Sequence, residues 1–257
     1  MNVAGKIVVI SGCTSGIGKE LCALYRNGGA TVIGLARSAT SPDIAVDVTD
    51  CERVKEVVAE IGQKYGRIDT VIANAGGGLS GATELLPTEA VENQIALNFT
   101  GALNLAQAAL KFMDRGANVV FISSACALFA LPYRATYCAS KAAVNMVSFG
   151  LYMELKNHGI RVTSICPGDI KTGFTANRVK INDGGERYGD APKSSAQKID
   201  SREDKRMELA PAAKKIFKYA VKSKKPLYIV GFKYKMLNFL RHILPQKLFL
   251  DITAKLF

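Results

Sequence analysis

The sequence predicts an α/β fold: a doubly wound parallel sheet with helices on both faces, extended at the C-terminus by amphipathic helices. Three observations point there. Short, continuous apolar runs alternate with longer segments of helical period across the first two thirds of the chain. Strands that are apolar throughout, rather than at every second position, belong to parallel sheets covered on both faces. A glycine-rich turn, Gly12 to Gly18, lies at the first junction between such a run and a helix, at the strand ends where sheets of this kind bind ligands. At 257 residues the chain can bury a substantial core. With 48% apolar and 22% charged residues, it is not a disordered chain, a collagen-like fibre or a small disulfide scaffold.

The elements follow in order. Ile7 to Ile10 reads as a buried strand, and Ile17 to Gly28 as a helix ending at the Gly28-Gly29 pair. Thr31 to Leu35 is a second strand and Ile44 to Val46 a short third; Arg37 to Asp43 is too short a link for a crossover helix. Val54, Val57, Val58 and Ile61 share one face of a helix from Asp50 to Tyr65, with Asp50 as its N-cap. Thr70 to Ala73 is a strand, Thr88 to Asp114 a long helix, and Asn118 to Ser123 a strand. Tyr137 to Lys156 is a helix, Ile160 to Cys166 a strand, and Tyr228 to Val230 the last strand. Right-handed crossovers assemble these into one domain over residues 1–232. Within it, 173–208 is polar and rich in Gly, Lys and Asp, and reads as a mobile loop or lid over a pocket.

Residues 233–257 form a basic amphipathic extension. Met236, Leu237, Phe239, Leu240, Ile243 and Leu244 recur at helical spacing, and a second set follows Pro245. From Lys193 onward there are 13 Lys and 3 Arg against 5 acids, so nearly all of the chain's +12 net charge sits there. Charges interrupt every apolar run, which excludes a membrane-spanning helix. Such a segment lies on an anionic membrane surface, packs on the body or crosses a subunit interface. It lacks Arg-rich clusters, so no nucleic-acid partner is expected. The six cysteines form no C-x-x-C pair and the two histidines are not at ligand spacing, so no metal is expected. The N-terminus MNVAGK has no secretory pattern. Reduced thiols fit a cytoplasmic protein, with peripheral membrane association as the addition the C-terminus suggests.

The turn Ser11-Gly12-Cys13-Thr14-Ser15-Gly16-Ile17-Gly18 spaces its glycines as G-x-x-x-G-x-G before an amphipathic helix. Small residues admit a pyrophosphate, and the helix N-terminus offers unpaired N–H groups. After the second strand comes Ala36-Arg37-Ser38 rather than an acid. Arg37 pairs with a 2′-phosphate where an acid would hold a ribose diol, which favours NADP(H) with NAD(H) as the alternative. Asp47 and Val48 flank an adenine site, and Asn74, Ala75 and Gly76 border the cofactor's middle. Tyr137 and Lys141 lie four apart on one helix face. An ammonium beside a phenol lowers its pKa and suits it to proton exchange with a carbonyl or alcohol oxygen.

With Ser124 thirteen residues before Tyr137, the sequence resembles the short-chain dehydrogenase/reductase family from about Lys6 to Gly168. The resemblance is carried by Gly12, Gly16 and Gly18, Asn74-Ala75-Gly76, Asn98, Ser124, Tyr137-x-x-x-Lys141, Pro167-Gly168 and Thr172. It implies a Rossmann-type fold with Tyr137 as general acid in reduction and base in oxidation. It implies that Ser124, with neighbouring Ser123 as a rival, holds the substrate oxygen. Lys141 binds the nicotinamide ribose, Asn98 anchors a proton-relaying water, and Ile170 and Thr172 contact the nicotinamide end. Relatives pair through the helices of Asn98 and Tyr137, so a homodimer or homotetramer is expected. Ser11 and Ala73 depart from the commoner Thr and Asn, and Ser15 stands where many NADP-preferring members have a basic residue. The expected activity is reduction of a small-molecule ketone or aldehyde, or the reverse. Leu128, Phe129 and Leu131 suggest an apolar, lipid-like substrate. The alternative is a non-catalytic cofactor-binding or membrane-associated regulatory protein on the same fold.

Overall fold

The computed structural model describes residues 2–201 and 206–256. β1 (Ile7–Ser11) is buried at every position and runs through the glycine turn into α1 (Gly16–Asn27). Leu21, Cys22 and Tyr25 face inward, and Gly29, with φ +82°, turns the chain out of the helix. β2 (Thr31–Ala36) and the short β3 (Ile44–Ala45) follow with no helix between them. α2 (Cys51–Tyr65) starts where the Asp50 carboxylate accepts from the Arg53 amide at 3.0 Å, as its sequence predicts. It stops at Gly66, whose φ of +72° is open to glycine at little cost.

β4 (Thr70–Ala73) and β5 (Leu79–Ser80) precede the segment expected to form one long helix. That segment is α3 (Thr88–Ile95), a π-helical turn at Ala96–Thr100, and α4 (Gly101–Leu110). The turn centres on Asn98, whose side chain is bound to Gly77 and Ser140. Periodicity cannot show such an insertion, because the apolar face continues through it. β6 (Asn118–Ile122), α5 (Ala135–Glu154) and β7 (Arg161–Pro167) complete the central region.

The segment expected as a lid over 173–208 carries β8 (Val179–Lys180), α6 (Gly185–Tyr188) and α7 (Ala191–Asp200). Residues 202–205 of it lie outside the described residues. β8 pairs with β5 in parallel. Then come α8 (Leu209–Lys222), β9 (Leu227–Val230), α9 (Phe232–Ile243) and α10 (Gln246–Leu256), the last two parted at Pro245 as expected.

The main sheet has the order β3-β2-β1-β4-β6-β7-β9, every pair parallel. Its order reverses direction between β1 and β4, which opens a crevice at their C-terminal ends. Val54, Val57, Leu105 and Val144 cover one face from α2, α4 and α5. Leu21, Tyr25, Ile216 and Ala220 cover the other from α1 and α8. The C-terminal helices close the molecule beside β7. Tyr234, Leu237 and Phe249 are buried against Leu128, Phe129 and Leu131. Leu128 and Phe129 therefore do not face the main crevice, as an apolar substrate pocket there would need. They border a separate cavity of about 350 Å³ under α9 and α10. No helix among the described residues is long and apolar enough to cross a membrane.

Candidate active site

At the C-terminal ends of β1, β4, β6 and β7 lies a cavity of about 850 Å³. Its floor begins with Ser11, whose hydroxyl accepts hydrogen bonds from the amides of Asn74 at 2.9 Å and Ala75 at 3.0 Å. Asn74 Nδ2 donates back to the Ser11 carbonyl at 3.0 Å. A hydroxyl is all this position needs, so Ser11 serves as well as threonine. Gly12 and Gly16 have φ of +68° and +51°, a region that disfavours any side chain. A Cβ on Gly18 would lie 2.0 Å from the Gly12 carbonyl, so α1 packs onto the turn only because Gly18 has none.

Ser15, the N-cap of α1, makes no side-chain cap, and the first turn holds no acid. Ser15, Gly16 and Ile17 line the cavity, so the helix presents uncapped N–H groups to it. That arrangement suits a phosphate group. Arg37 lines the same cavity from the end of β2. Burial opposes ionisation of the neighbouring Asp47, but hydrogen bonds from Thr49 and the charge of Arg37 outweigh it and hold the carboxyl below its usual range. Asn74, Ala75 and Gly76 form the middle of the wall, and Pro167, Gly168, Ile170 and Thr172 its far side. A glycine cradle and an uncapped helix end together fit a dinucleotide.

The other half of the cavity holds Ser124, Tyr137 and Lys141. Ser124 ends β6 in extended conformation and accepts from the Cys126 amide at 3.2 Å. Ser123 is turned away and donates to the Lys141 carbonyl at 3.0 Å, which leaves Ser124 as the hydroxyl that engages Tyr137. Burial pushes the Tyr137 phenol well up, and Cys126 adds to this; Arg134 and the hydrogen bond with Ser124 pull it back in part. The lowering expected from Lys141 is not what the site shows. The Lys141 ammonium donates to the Ile122 carbonyl at 3.1 Å, and the guanidinium of Arg134 is the cation over the phenol ring, 5.1 Å from its centre. Lys141 is itself 4% exposed, and burial lowers its pKa to about 8.

Five expected site residues stand off the cavity wall. Thr14 is exposed on the turn and Gly18 is buried behind it. Asp47 is bound to Thr49, and the Val48 carbonyl accepts from Asn104 at 3.1 Å. Asn98 is 1% exposed; its amide oxygen accepts from Gly77 at 2.8 Å and its Nδ2 donates to Gly77 and Ser140 at 3.0 Å. A Cβ on Gly76 would lie 3.0 Å from Asn98 Oδ1 and 3.2 Å from Lys141 Nζ, so both groups close on this one glycine from behind.

The structure also brings in residues that sequence spacing did not single out. Arg134, Arg178, Arg206, Asp169 and Phe174 line the cavity. Asp169 accepts from the Tyr234 hydroxyl, and the Tyr234 ring lies flat against Gly168, where a Cβ would fall 2.0 Å from Tyr234 Cε2. The C-terminal extension is thereby keyed to the cavity wall. Only Arg134, three residues before Tyr137, had a local signal that pointed to it. Among the described residues no group of three His, Cys, Asp or Glu is placed to hold a metal.

A family model described as short chain dehydrogenase matches residues 6–182. The chain is 35% identical over 207 residues to a 3-ketodihydrosphingosine reductase of Bacteroides thetaiotaomicron, a match covering 77% of this chain and 77% of that protein. It is 34% identical over 192 residues to a 3-oxoacyl-(acyl-carrier-protein) reductase of Thermotoga maritima, covering 68% and 78%. A solved short-chain dehydrogenase from Streptomyces avermitilis aligns with a TM-score of 0.80 at 26% identity, over 98% of this chain and 96% of that one.

Proposed function

The chain belongs to the short-chain dehydrogenase/reductase family of oxidoreductases, and on that premise we propose that it reduces a ketone or aldehyde with NADPH, the substrate's lipid-like character resting on Leu79, Leu97 and Phe174 of the cavity wall rather than on Leu128 and Phe129. The observation that carries this reading is the sharing of one cavity by Ser124, Tyr137 and Lys141 with the uncapped N-terminus of α1. When bound, the nicotinamide supplies the hydride in this direction and accepts it in the reverse. Ser124 holds the carbonyl oxygen by hydrogen bond. Tyr137, kept as a neutral phenol by burial, donates its proton to that same oxygen. Lys141 holds the ribose hydroxyls. Asn98 acts as a positioning residue, fixing Gly77 and the wall beside Lys141. Two relatives named as reductases of a 3-keto and a 3-oxo compound support the reducing direction.

The preference for NADP(H) over NAD(H) rests on Arg37 at the cavity edge, since a charge-assisted pair with a 2′-phosphate is worth about 1.5–3 kcal/mol. Calorimetry is expected to show NADPH bound at least about 10-fold more tightly than NADH, with most of that preference lost in Arg37→Ala. Equal affinities would overturn the assignment. A non-catalytic cofactor-binding protein is the weaker reading, because Ser124, Tyr137 and Lys141 share the cavity.

A second reading concerns location. Phe232, Met236, Phe239 and Ile243 form one stripe along α9 and are 80%, 50%, 64% and 58% exposed. Lys233 and Lys235 flank that stripe on α9. We infer that α9 and α10 bind an anionic membrane peripherally from the cytoplasmic side. The protein is expected to sediment with phosphatidylserine vesicles but not with phosphatidylcholine vesicles. Phe239→Glu is expected to cut binding at least about 10-fold; no sedimentation with either vesicle would refute the reading. A homodimer or homotetramer through α4 and α5 is supported by Met146 and Met153, 68% and 69% exposed on α5, and light scattering reads it directly.

A further inference from the structure

The part of the cavity beyond Tyr137 is lined by three arginines from three separate segments: Arg134, Arg178 and Arg206. The Arg178 side chain is 2% exposed. Its Nη2 reaches Asp200 at 3.2 Å, but Asp200 also accepts from Lys180 at 2.7 Å, so one carboxylate is divided between two cations. Arg206 is 8% exposed and donates from Nη2 to the Ile199 carbonyl at 2.7 Å, a neutral partner. Arg134 lies over the Tyr137 ring. The Nε atoms of both Arg134 and Arg178 are buried with no hydrogen-bond partner among the described residues. Among the described residues two acids share the lining with these three arginines: Asp169, which accepts from the Tyr234 hydroxyl and whose charge also acts on Arg134, and Glu89 from α3.

Burying guanidinium groups that repel one another and leaving their donors unused is costly. The charges of Arg134 and Arg206 do reach Arg178: after burial itself, Arg134 is the strongest influence lowering its pKa. A bound oxyanion would relieve the repulsion and fill the idle donors at once, since a guanidinium fork matches a carboxylate or phosphate. We propose that this half of the cavity binds an oxyanion carried by the substrate, a carboxylate or phosphate close to the reacting carbonyl. The proposal rests on the reductase reading and narrows its substrate class. Arg134 sets the spacing: an anion paired with it lies beside the Tyr137 ring and hence a few bonds from the carbonyl. Leu79, Leu97 and Phe174 on the same cavity wall receive the apolar remainder.

The test compares matched carbonyls with NADPH: acetoacetate against its methyl ester, and dihydroxyacetone phosphate against dihydroxyacetone. At least one anionic member is expected to exceed its neutral partner in kcat/KM by about 10-fold or more. The pair with the larger ratio separates carboxylate from phosphate. In Arg134→Gln and Arg178→Gln that ratio falls toward one. Neutral members turned over as well as the anions would overturn the proposal and leave the reductase reading standing. Turnover of no carbonyl at all would sink the reductase reading instead, and binding then decides the anion site. Protein saturated with NADPH must gain thermal stability from inorganic phosphate or acetoacetate at constant ionic strength, and Arg178→Gln must not. No gain in the wild type overturns the proposal.

Discussion

Tyr137→Phe is expected to lower carbonyl reduction by about 10²–10⁴-fold while NADPH affinity stays within about threefold. The substitution removes one oxygen from a buried ring and keeps its shape, so the packing against Phe174, 5.8 Å between ring centres, survives. What disappears is the phenol that, among the described residues, both engages Ser124 and lines the cavity. Because burial raises its pKa, Tyr137 carries its proton across the neutral range and is ready to act as an acid. Oxidation needs the same group without its proton. Single-turnover kinetics with bound NADPH reads the chemical step directly. A loss smaller than about 10-fold would show that another group delivers the proton.

Lys141→Met is expected to do two opposite things: abolish measurable turnover and raise the melting temperature of the cofactor-free protein. The ammonium is buried, and its pKa drops from the usual 10.5 to about 8, which means that folding disfavours the charged form. Below pH 8 nearly the whole penalty is present, about 3 kcal/mol. As the pH rises from 8 toward 10.5 the lysine loses its proton in the folded state and the penalty fades. The melting temperature of Lys141→Met should therefore exceed that of the wild type by about 6–12 °C at pH 7, and the gap should narrow above pH 8. Titration of cofactor affinity should show the converse, a decline above pH 8 in the wild type that is missing in Lys141→Met. A variant less stable than the wild type at pH 7 would contradict the assignment of Lys141 as a strained, functional group. The position illustrates how a site can hold a charge that the fold alone would reject.

Much of this was legible along the chain because it is encoded locally. Apolar runs such as Ile7 to Ile10 had to be strands buried on both sides, and the fully buried pattern of β1 follows. Asp50 capped α2 because a carboxylate three residues before an amide meets it without help from elsewhere. The glycines of the first turn, and the four-residue step from Tyr137 to Lys141, carry their geometry with them. The break in the helix at Asn98 was not legible, since its cause is a pair of hydrogen bonds to Gly77 and Ser140 from other parts of the chain. Leu128 and Phe129 looked like pocket residues by position, and only the docking of Phe249 against Phe129, 6.1 Å between rings, turned them into core.

The sequence by itself determined the strands and helices, the glycine turn after β1 and the four-residue step from Tyr137 to Lys141, because each depends on neighbours a few residues apart. Tertiary structure alone decided how those groups are charged and what they face. The proton on Tyr137, the depressed ammonium of Lys141 and the gathering of Arg134, Arg178 and Arg206 in one cavity all arise from exclusion of water and from charges brought together across distant segments. No local pattern carries that information, since the energy of a charge depends on everything packed around it.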